Sequence, residues 1–70
     1  MFDREIQKQR LAELINQSGK SIRQIALDAG VDDVMLRHWR KRGIGNMPRL
    51  ELVTCVARTL NSTAKWLLDA

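Results

Sequence analysis

The chain has 70 residues, 44% of them apolar and 29% charged, with a formal net charge of +4 and Cys55 as its one cysteine. That composition is globular, with room for a single domain over 1–70 and a modest core, and it excludes an intrachain disulfide and a cysteine-built zinc site. The basic excess suits a polyanionic partner without identifying one, and no apolar run approaches the roughly 20 residues of a membrane span.

The spacing predicts a first helix over 3–17, with Ile6, Leu11, Leu14 and Ile15 apolar and Phe2 packing at its start. The opening stretch MFDREIQKQR has no apolar core of the signal-peptide kind, so a cytoplasmic location is expected. Asn16, Gln17, Ser18 and Gly19 break the helix. Ser21 reads as an N-cap, with Gln24 completing a capping box, and the second helix runs to Ala29. Asp32 and Asp33 open a third helix, where carboxylates cap free N–H groups and suit the dipole; it runs to Lys41 and stops at Gly43. Residues 43–47 form a loop, and Pro48 suits the first turn of a fourth helix. That helix carries Leu50, Val53, Val56, Ala57 and Leu60 on a core face, with Cys55 pointing away. Asn61 and Ser62 interrupt it, and Thr63 caps a short fifth helix containing Trp66, Leu67 and Leu68. Strand alternation, repeats and low-complexity tracts are absent from the sequence. The expected fold class is all-α, five short helices around one core.

Ser21 to Lys41, SIRQIALDAGVDDVMLRHWRK, is the most informative stretch. Ile25, Ala26, Ala29, Val31, Leu36 and Trp39 fall where two steeply packed helices need apolar or small residues, with Ala26 at the closest crossing. Gly30 falls at the turn, where a left-handed backbone is cheap only for glycine. At about 100° per residue, Val34, Arg37, His38 and Lys41 share one outward stripe, while Val31, Leu36 and Trp39 point inward. Together these features specify a DNA-binding helix-turn-helix. Taken alone, the stripe also fits an ordinary amphipathic helix with a solvated charged face.

The ordered set Arg10-Leu11 with Leu14, Ser21 to Trp39, Pro48-Arg49-Leu50-Glu51 with Val56-Ala57 and Leu60, and Trp66-Leu67-Leu68 resembles the lambda-repressor-like family, the Cro and XRE-type helix-turn-helix regulators, over residues 10–68. The resemblance implies a five-helix lambda-repressor-like domain that binds double-stranded operator DNA as a two-fold dimer, with the third helix in the major groove. It implies base-facing positions at Asp33, Val34, Arg37 and His38. Phosphate contacts would come from the start of the second helix, the end of the third and the following loop, with Arg23, Arg40, Lys41, Arg42 and Asn46 as candidates. Three departures stand out, one of them a loop after the third helix that is longer and more glycine-rich than is usual in the family. Ile22 replaces the polar residue common at the start of the second helix. Ile15 and Arg40 replace a frequent arginine–glutamate pair; losing both partners together is coherent, and it frees Arg40 to face phosphate.

Within this reading, Arg37 makes a bidentate contact to guanine, or else a phosphate contact or a salt bridge to Asp33. Val34 offers a contact to a thymine methyl; Asp33 accepts from cytosine or caps the helix; His38 donates to guanine or phosphate. Trp39 belongs to the core, Trp66 to the core or a dimer interface, and Met35 and Met47 to the core edge. A weak homodimer is expected through Trp66, Leu67 and Leu68. Lone His38 and isolated glycines give no catalytic set, so neither an enzyme nor a small-molecule substrate, cofactor or metal is expected. The leading function is a phage-type repressor or Cro-like regulator, either a whole protein or the first domain of a longer one. The alternative is a protein-interaction module such as an antitoxin, with DNA binding secondary or absent, for which a more apolar face than Val34 alone provides is expected.

Overall fold

The computed structural model describes residues 3–45 and 49–68, which form five α-helices and, among the described residues, no strand. They are α1 (Arg4–Ser18), α2 (Ile22–Ala29), α3 (Asp33–Arg42), α4 (Leu50–Thr59) and α5 (Ala64–Leu68). Local chemistry sets most of their ends. Asp3 is extended and its Oδ1 accepts from the N–H groups of Glu5 (2.9 Å) and Ile6 (3.4 Å), so α1 starts where the first aspartate can cap it. Ser21 Oγ accepts from Gln24 N at 3.1 Å. The reciprocal half of the expected capping box does not form; the Gln24 side chain instead donates to Asp28 Oδ1 at 2.9 Å. Asp32 Oδ1 accepts from Val34 N at 2.9 Å, and Thr63 Oγ1 accepts from Trp66 N at 3.1 Å.

Two helices end in the paired bonds of a Schellman motif. Gly30 is left-handed at φ 72°, with Gly30 N donating to Leu27 O and Val31 N to Ala26 O. At the end of α4 the same role falls to Asn61 at φ 58°, with Asn61 N donating to Arg58 O and Ser62 N to Ala57 O. The interruption expected at Asn61 and Ser62 is thus a built turn.

All five helices feed one core: Leu11 and Ile15, Ile25 and Ala26, Leu36 and Trp39, Val53, Val56, Ala57 and Leu60, and Leu67 and Leu68. Leu14, Ile22, Val31 and Met35 pack at its edge, as does Ile44 from the loop. Leu50 departs from expectation. It is 61% exposed, so the core face of α4 begins at Val53. Leu50 lies on the right stripe but in the first turn, where no described element covers it. Leu67 and Leu68 are interior residues, 0% and 4% exposed, because α5 lays both against the core. Phe2, Met47 and the expected role of Pro48 lie outside the described residues.

Candidate nucleic-acid interface

Helix α3 is anchored from one side. Leu36 is fully buried and Trp39 is 7% exposed, while Val34, Arg37, His38, Arg40, Lys41 and Arg42 are all exposed. The two anchors fix the rotation of the helix, so the outward stripe of Val34, Arg37, His38 and Lys41 is a consequence of core packing. Exposing Val34 to 66% has no packing reward, since a β-branched apolar residue in solvent neither fills the core nor favours the helix. Arg40, Lys41 and Arg42 occupy the last turn, where cations suit the carbonyl end of the dipole.

Asp33 is half-buried, and its Oδ2 lies 3.5 Å from Arg37 Nη2, one turn along the helix. The ion pair left open by the sequence therefore exists in the free protein. Both partners reach water, and such a pair is worth only about 0.3–0.5 kcal/mol. It is a weak restraint on Arg37 and an easily opened one.

Ile22, at the start of α2, and Arg37, Arg40 and Lys41 of α3 line an open groove of about 410 Å³. Ile22, at the place where the resemblance implies a polar side chain, lines this groove together with three cations. Arg23 is exposed on α2 but does not line this groove. Asn46 lies outside the described residues. On the far end of the chain, Trp66 is 38% exposed, and the Arg10 guanidinium sits 4.9 Å from its ring centroid while Arg10 Nη1 donates to Trp66 O. Of the three residues expected at a dimer interface, only Trp66 keeps surface for a second copy; Leu67 and Leu68 are already covered by this chain.

Two side chains of α1 belong to this region and are not singled out by the sequence pattern above. Gln7 is fully buried; its Oε1 accepts from Ile44 N (2.9 Å) and Gly45 N (2.8 Å), and its Nε2 donates to Gly45 O (3.3 Å). The loop leaving α3 is thereby tied to α1. Gln7, Leu11 and Ile15 recur every four residues on one buried seam, a spacing that does mark Gln7 as a polar group in a core slot. Arg4 lies against the same loop: a methyl group on Gly45 would come within 3.0 Å of Arg4 Nη2. Nothing in the sequence signals that contact.

Elsewhere, the Asp28 carboxyl is held below its ordinary range, chiefly by the hydrogen bond from Lys20 and then by that from Gln24. Cys55 is exposed, and the described residues contain no cluster of side chains suited to a metal ion and no helix long and apolar enough to cross a membrane. Comparison with protein families, with curated proteins and with solved structures finds no match to this chain.

Proposed function

We propose that the chain is a sequence-specific double-stranded DNA-binding regulator of the lambda-repressor-like helix-turn-helix kind, a phage-type repressor or Cro-like protein, with α3 as its recognition helix. The observation that carries this is the two-sidedness of α3. Leu36 and Trp39 are buried while Val34, Arg37, His38 and Lys41 project outward beside a groove lined by Arg37, Arg40 and Lys41. A rigid helix fits the major groove, where arginine pairs with guanine O6 and N7 and an apolar side chain meets a thymine methyl.

In this reading Arg37 leaves Asp33 for guanine, and Val34 packs on a thymine methyl. Asp33 and His38 flank them, while Arg23, Arg40, Lys41 and Arg42 hold phosphates. On α3 itself Val34 is the one exposed large apolar side chain, less apolar area than a purely protein-binding face calls for. Selection of bound sites from a random duplex library, followed by titration of the selected site across salt concentrations, tests the proposal. A recurrent site with affinity falling steeply in salt is expected; no enrichment and a flat salt response would overturn it.

A further inference from the structure

The loop leaving α3 is pressed against the first turn of α1 by contacts that leave no space between them. Gly43 and Gly45 are both buried and both adopt positive φ, 84° and 100°. A methyl group on Gly43 would lie 2.8 Å from Arg4 O and 2.9 Å from Arg4 Cβ, so the two backbones touch there. Gln7 then bonds the loop at Ile44 N, Gly45 N and Gly45 O. A buried side-chain amide must satisfy its polar atoms, and here the loop backbone satisfies them. The outcome is that the Arg4 guanidinium, brought from the start of the chain, lies over Gly45, three residues beyond the basic end of α3. Arg4 is exposed, and its guanidinium makes no hydrogen bond or ion pair with any described residue.

We infer that Arg4 is a DNA phosphate contact that α1 supplies at the exit of the recognition helix, and that Gln7 is the residue that positions it. The inference rests on the DNA-binding reading above and adds to it a site outside α2 and α3. Arginine suits this role because it is always charged, forked, and able to grip a phosphate through parallel N–H groups. Its contact carries no base information, so it strengthens binding to every duplex alike.

The test is fluorescence anisotropy of the full chain on the selected duplex and on a random duplex, from low to high salt. Arg4→Gln is expected to lower the log–log salt slope by about 0.9 per subunit and to weaken both duplexes by the same factor, with Arg4→Lys restoring most of the slope. Gln7→Met, nearly isosteric but unable to bond the loop, is expected to reduce the slope in the same way, and Arg4→Gln added to Gln7→Met is expected to lower it no further. Circular dichroism separates that effect from unfolding. If the unaltered protein shows a steep slope and Arg4→Gln keeps it, the Arg4 assignment is wrong while the DNA reading stands. If the unaltered protein shows no salt-dependent binding, both fall. If Arg4→Gln lowers the slope and a folded Gln7→Met does not, the positioning role of Gln7 is overturned.

Discussion

Arg37 and Asp33 face one another across a single turn of α3, 3.5 Å apart, on the surface that the core turns outward. In the free chain Arg37 is paired within its own helix, with both partners partly exposed. If α3 reads DNA as proposed, a guanine edge is expected to outcompete this pair: a good bidentate contact discriminates by about 1–3 kcal/mol, against about 0.3–0.5 kcal/mol for the exposed pair. Arg37→Ala is therefore expected to leave folding nearly unchanged and to lower affinity for the selected site by about 1–3 kcal/mol, relaxing preference at one base pair. Lys41→Ala is expected to weaken all sequences alike and to reduce the salt slope by about one unit. Affinities for the selected site and each single-base variant, with circular dichroism as the folding control, decide between these. Equal weakening of every site by Arg37→Ala would make Arg37 a phosphate contact.

Much of this arrangement is legible in the sequence, because it is local. Ser21, Asp32 and Thr63 cap helices through their own side chains, and Gly30 ends α2 with a bond pattern that depends on adjacent residues only. The inward and outward faces of α3 follow from helical periodicity. What is not legible depends on partners distant in sequence. Leu50 obeys the periodicity of α4 yet is exposed, since periodicity cannot say where the covering helices end. Leu67 and Leu68 read equally well as core or as interface until the position of α5 is known. The Gln7 and Arg4 contacts to residues 43–45 join the start of α1 to the end of α3, and only the tertiary fold brings these together.

Gly30 isolates the backbone contribution to the α2–α3 turn. A Cβ added there would meet nothing within 4 Å, so Gly30→Ala carries no clash and only the strain of φ 72°. The expected loss is about 1–2 kcal/mol of folding stability. Ala26→Leu is different in kind: Ala26 is buried in the core, and about 1–3 kcal/mol is expected from overpacking, with α2 and α3 expected to be pushed apart. Denaturant unfolding measures both losses. DNA affinity separates them further, because Gly30→Ala keeps the spacing of the two helices and Ala26→Leu does not. Equal loss of affinity per unit of stability in the two variants would count against that distinction.

Asp28 gives a pH dependence with a fixed sign. Lys20 Nζ lies 2.9 Å from its Oδ2, and Gln24 Nε2 lies 2.9 Å from its Oδ1; both favour the carboxylate and hold its pKa below the ordinary value. A group whose pKa is depressed on folding adds stability above its unfolded pKa, and that stability is lost as pH falls through the folded value. The thermal midpoint of Asp28→Asn is therefore expected to lie below that of the unaltered protein at neutral pH, the gap closing in acid below the ordinary carboxylate range. Melting curves of both proteins across pH check this. A gap that stays constant or widens in acid would contradict the assignment.

Trp66 and its two neighbours on α5 divide into surface and core, and this bears on assembly. One recognition helix reads few base pairs, so a two-fold dimer with half-sites about 10–10.5 base pairs apart is the expected arrangement. Leu67 and Leu68 are 0% and 4% exposed within one chain, whereas Trp66 is 38% exposed and held in place by Arg10. Leu67→Ala and Leu68→Ala are thus expected to act as folding lesions, each losing about 2–5 kcal/mol. Trp66→Ala is expected to keep the fold and to lose cooperativity on a two-half-site duplex while binding a single half-site as before. The measurement pairs a thermal melt of each variant with titrations of the full site and the half-site. A folded Leu67→Ala protein with reduced cooperativity would return the interface to Leu67. Unchanged cooperativity in Trp66→Ala would move the dimer contact away from α5 altogether.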